Sequence, residues 1–136
     1  MTDADDVKRL SSADLWRLAD EPGLSMEVCR AIMEVGEEAV LVSLACNYEA
    51  PEAALSILAS RTDRVGELAR ENPNAAASDK DRAPIGNFGS SGIARFAEQR
   101  QATWEQARAL ADAYDRAPHP GGPLLGDVWR DILARK

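Results

Sequence analysis

Between Ser25 and Asn74 the chain repeats itself. A shift of 25 residues lays Glu27 on Glu52, Ile32 on Ile57, Met33 on Leu58, Val40 on Val65 and Asn47 on Asn72. Leu44-Ala45 recurs as Leu68-Ala69 at a spacing of 24, and Leu18-Ala19 precedes Leu44-Ala45 by 26. A period of this length marks supersecondary units that bury their apolar faces only against one another, which leaves few folds open to the chain.

The units read as helices. Val28, Cys29, Ile32 and Met33 make one apolar stripe, and Val40, Leu41, Leu44 and Ala45 the next. Leu55, Ile57, Leu58 and Ala59 make a third, and Val65, Leu68 and Ala69 a fourth. Both cysteines, Cys29 and Cys46, are expected on these buried faces as free thiols. Upstream, Leu15, Leu18 and Ala19 are spaced i, i+3, i+4, with Trp16 beside them. Ser11 and Asp14 have the spacing of a capping box, Pro22-Gly23 stops that helix, and Ser25 and Asp63 are candidate N-caps. Glu37 and Glu38 open a helix at its positive end, and Pro51 suits a first helical position. Gly36 and Asn47 are expected to end helices in the left-handed conformation. Alanine fills 24 positions and aromatics only 5%, so close helix approaches replace large aromatic anchors. The expected class is all-α.

Ala50-Pro51-Glu52-Ala53-Ala54-Leu55, and Leu68-Ala69 followed by Asn72-Pro73-Asn74, resemble units of the leucine-rich repeat variant proteins, and the stacking resembles HEAT-type repeats more generally. The resemblance covers about residues 15–76. At the earlier copy Asn47-Tyr48-Glu49 lacks the proline. It implies a short α-solenoid-like stack of helix pairs. One type of family member carries an iron–sulfur cluster on a separate cysteine-rich segment; no such segment is present here, and no cofactor is expected.

The remaining organisation follows from composition. Residues 1–10 read as a flexible acidic leader, and 11–77 as the helical repeats. Residues 78–92, rich in glycine and serine, read as a loop. A single long bracing helix is expected over 93–117, with Trp104 and Tyr114 facing inward. A Pro/Gly link at 118–126 and a capping helix at 127–136 follow. Val128, Trp129, Ile132 and Leu133 would seal the end of the stack.

Reaction chemistry is not visible in the residues. The one histidine, His119, lies in the Pro/Gly link, and neither the Glu37-Glu38 pair nor Asp3, Asp5 and Asp6 has calcium-loop spacing. The segment Gly86–Gly92 lacks the lysine of a phosphate-binding loop. Residues 1–60 hold 12 acidic and 4 basic side chains, so this half repels a phosphate backbone and favours a basic partner surface. With no 18-residue apolar run and an acidic start, a cytoplasmic protein is expected.

These readings converge on a non-enzymatic module that binds a partner protein stoichiometrically, with Glu37, Glu38, Tyr48, Glu49 and Phe88 as the candidate contacts. A chain this small and acidic is of the kind expected of a phage- or plasmid-encoded modulator of a host protein. A small-molecule site or active site between the long helix and the repeats, lined by Trp104, Tyr114 and Arg100, is the alternative, and a DNA-binding regulator the third. A homodimer through the long helix is a further option.

Overall fold

The computed structural model describes residues 3–135, and these form ten α-helices and no strand. The first six are α1 (Ala4–Val7), α2 (Ser12–Ala19), α3 (Met26–Val35), α4 (Glu38–Ala45), α5 (Glu52–Ala59) and α6 (Arg64–Glu71). Helices α2, α4 and α6 begin at Ser12, Glu38 and Arg64, 26 residues apart each time, and pack side by side in one row. Helices α1, α3 and α5 form a second row behind it. Between the rows lies one apolar core, in which Cys29, Ile32, Val40, Leu44, Leu55, Leu58 and Val65 are fully or almost fully buried. Among the described residues no helix is long and apolar enough to cross a membrane.

Two asparagines tie the row together. Asn47 Nδ2 donates to the carbonyls of Ala19 (3.0 Å) and Glu21 (2.8 Å), while its Oδ1 accepts from the Glu49 N–H at 3.0 Å. Asn72 makes the same three bonds one unit later, to Ala45 and Asn47 at 2.9 Å each and from Asn74 at 2.8 Å. The carbonyls that a helix end leaves unpaired are thereby satisfied by the next turn. Asn47 is not left-handed as expected, since Gln101 is the one non-glycine residue with positive φ among those described. Gly36 is also extended, at φ −76°. It is small because a Cβ there would stand 2.7 Å from the Ile32 carbonyl.

The carboxy-terminal half departs more from expectation. Residues 78–92 are ordered by α7 (Ala77–Lys80) and a 3-10 turn (Ile85–Asn87), with Lys80, Ile85 and Phe88 buried. The long helix is two helices, α8 (Ser90–Gln99) and α9 (Trp104–Arg116), packed against each other. Gln101, at φ 52°, closes α8 as its N–H bonds to Glu98 and that of Ala102 to Ala97, both at 3.0 Å. Thr103 and Gln106 then cap α9 reciprocally. That Thr-x-x-Gln signal was legible in the sequence as a helix start. Helix α10 (Leu125–Ala134) completes a second core with Ile85, Phe96, Leu110, Trp129 and Ile132. The leader is also structured from Asp3 onward: α1 packs on α3 and buries Val7, whereas Met1 and Thr2 lie outside the described residues, as does Lys136 at the end of the expected capping helix.

Candidate protein-docking face

The outer surface of the α2–α4–α6 row carries the largest aromatic side chains exposed in the amino-terminal half. Trp16 on α2 is 57% exposed, and Tyr48, in the turn after α4, is 69% exposed. Trp16 lines a recess of about 270 Å³ between α2 and α4 with Arg17, Asp20 and Ser43. Trp16 and Asp20 share a face because they are one helical turn apart. Tyr48 lines a second recess, of about 250 Å³, on the other side of α4, with Cys46, Leu68, Glu71 and Asn87 among the residues of its wall and Gly89 and Ser91 reaching it from the second half of the chain. Cys46 lines the second recess only.

Acidic side chains outnumber basic ones on and beside α2 and α4, with Asp14, Asp20, Glu21, Glu37, Glu38 and Glu49 against Arg17. All twelve carboxylates of residues 1–60 are exposed, and among the described residues only Asp14 and Glu34 form ion pairs, with Arg17 and Lys8 at 3.6 Å. Arg64 is taken by Glu67 at 3.0 Å, and Arg70 by the carbonyls of Ala59 and Arg61. The Asp20 carboxylate forms no ion pair or hydrogen bond among the described residues, while its N–H donates to the Arg17 carbonyl at 3.2 Å. Glu71 accepts from Asn87 Nδ2 at 3.1 Å, yet burial pushes its carboxyl above the usual range.

The five expected contacts do not form one site. Glu37 and Glu38 are exposed at the start of α4, while Tyr48 and Glu49 are exposed beyond its other end, roughly 12 Å away at 1.5 Å per residue. Phe88 is only 4% exposed, packs in the second core, and its carbonyl accepts from the Tyr114 hydroxyl at 2.8 Å. It fills a gap and offers no surface to a partner. Trp16, Asp20, Ser43 and Glu71 were missed, because a helical stripe marks what is buried and leaves the outward residues unranked.

The expected cleft residues diverge. Trp104 is 74% exposed with Arg108 over its ring, Tyr114 is bound to Phe88, and Arg100 pairs with Asp81. His119 Nε2 lies 2.7 Å from the Tyr114 carbonyl, to which the imidazole donates as it closes the end of α9. Neither thiol is activated. Burial pushes Cys29 up to about 11, whereas Cys46 lies exposed at the end of α4 rather than on a buried face, and partial desolvation of its thiol raises it. Among the described residues no three His, Cys, Asp or Glu side chains are grouped to hold a metal ion. Compared with known proteins, the chain matches no family model, no curated protein and no solved structure.

Proposed function

We propose that the chain is a protein-binding module of the α-solenoid kind, whose α2–α4–α6 face docks a partner protein stoichiometrically. The observation that carries the reading is the pair of exposed rings, Trp16 and Tyr48, flanking α4 on one acidic face. Large aromatics are the residue types that dominate binding energy when a partner desolvates them. The repeated asparagine bonds and the 26-residue spacing of helix starts support the stacked-unit architecture. Stacked helices offer an extended flank rather than a reactive pit. Glu37, Glu38 and Glu49 extend the acidic margin and contribute chiefly to steering the encounter.

The test is capture of partners from the native cell by the tagged chain, compared with Trp16→Ala, Tyr48→Ala and Trp104→Ala variants. The reading expects the same captured protein to be lost with the first two and retained with the third. Retention by all three would overturn it.

A further inference from the structure

The two recesses share a chemistry. Each sets an aromatic ring beside a carboxylate that forms no ion pair among the described residues: Trp16 with Asp20, where Arg17 also lines the recess, and Tyr48 with Glu71. The nearby arginines are already engaged, Arg17 with Asp14 and Arg64 with Glu67. An aromatic face beside a carboxylate without an ion pair suits a guanidinium, which stacks on the ring while its edge donates to the oxygens. The surrounding charge has the same sign, since Glu21 and Glu49 are exposed on the adjoining turns.

The recesses lie on either side of α4. Their separation is therefore set by the spacing of packed helices, about 8–10 Å. A polyproline-type segment advances about 3.1 Å per residue, so side chains three apart stand about 9 Å apart.

Resting on the docking reading above, we infer that this face recognises an extended basic segment bearing two arginines three residues apart, one seated at Trp16 and Asp20 and the other at Tyr48 and Glu71. The asparagine-tied row holds both recesses at a fixed distance, so spacing as well as charge selects the ligand. Duplex nucleic acid is rejected because its phosphates meet the same carboxylates.

The experiment is fluorescence anisotropy with a labelled peptide in which two prolines separate two arginines. The expected result is saturable binding that weakens at least about tenfold when either arginine is replaced by serine, or in Asp20→Asn or Glu71→Gln, a loss of about 1.4 kcal/mol. Glu27→Gln, on the other row, should bind as the native chain does, and unchanged melting temperatures exclude unfolding. Absence of peptide binding would overturn the inference while leaving the capture test to decide the docking reading separately. Equal weakening by Glu27→Gln, equal binding of a peptide with adjacent arginines, or tighter binding of a duplex oligonucleotide would also overturn it.

Discussion

Asn72 donates from its side-chain amide to the backbone carbonyl of Asn47 at 2.9 Å, and Asn47 in turn donates to the end of α2. Each asparagine thus locks its own turn to the preceding one, and both are almost wholly buried. Asn72→Ala leaves the carbonyls of Ala45 and Asn47 and the amide of Asn74 without their partner. Unmade buried bonds cost roughly 1–3 kcal/mol each and do not add fully, so a loss of about 2–4 kcal/mol is expected by urea unfolding. Asn72→Asp should be less stable at pH 7 than at pH 4. The ionised carboxylate faces two carbonyls, so its folded-state pKa rises and stability falls as pH increases. A flat pH profile would contradict this geometry.

Lys80 is fully buried between the two cores and donates to the Pro73 carbonyl at 2.6 Å and Gln99 Oε1 at 2.9 Å. Burial pulls its ammonium down to about 8, with Arg95 acting in the same direction and Glu52 against it. From pH 8 to 10.5 the unfolded chain binds more protons at this site than the folded one, so this residue's contribution to stability rises with pH. Cys29 acts oppositely, its contribution being lost as pH climbs from 9 to about 11. Lys80→Met should therefore remove a rising component from the profile of unfolding free energy between pH 7 and 10. Parallel profiles for variant and native chain would refute it.

Gln101 sits at φ 52°, a conformation costly for a side chain with a Cβ. Gln101→Gly should stabilise the chain by about 0.5–1 kcal/mol, read as a higher denaturation midpoint at constant m-value. Destabilisation would mean that the side chain makes a contribution its exposed position does not suggest.

Trp104 and Trp129 should respond in opposite ways to truncation. Trp129 packs edge-on against Phe96 at 5.9 Å and is 6% exposed, so Trp129→Ala should cost about 3–5 kcal/mol. Trp104→Ala, on the solvent side of α9, should stay within about 0.5 kcal/mol of the native chain.

At Gly86 an added Cβ would stand 1.8 Å from the Pro118 carbonyl oxygen and 2.6 Å from that of Gly121. The turn and the link are pinned there, because Gly86 N–H donates to Gly121 and Ile85 N–H to Pro123, both at 2.8 Å. Gly86→Ala must force the turn and the link apart, a steric insertion expected to cost at least about 2 kcal/mol in thermal or urea unfolding.

The helical class, the position of helices α3 to α6, the caps Ser25 and Asp63 and most of the buried stripes were legible in the sequence, because they depend on contacts within one or two turns, whereas Ile57, expected inward, is 46% exposed. Asn47 and Asn72 were visible as equivalent positions, but not their bonds. Those reach carbonyls 25 to 28 residues earlier and exist only once the row is stacked. The candidate site was less legible still. A continuous helix through Arg100 would carry the apolar phase of Phe96 on to Trp104, whereas the turn at Gln101 resets that phase and puts Trp104 in solvent. Local pattern thus determined which segments coil and which residues they hide. Tertiary packing alone decided which outward side chains became neighbours, since that depends on helix phase and spacing between segments far apart in the chain.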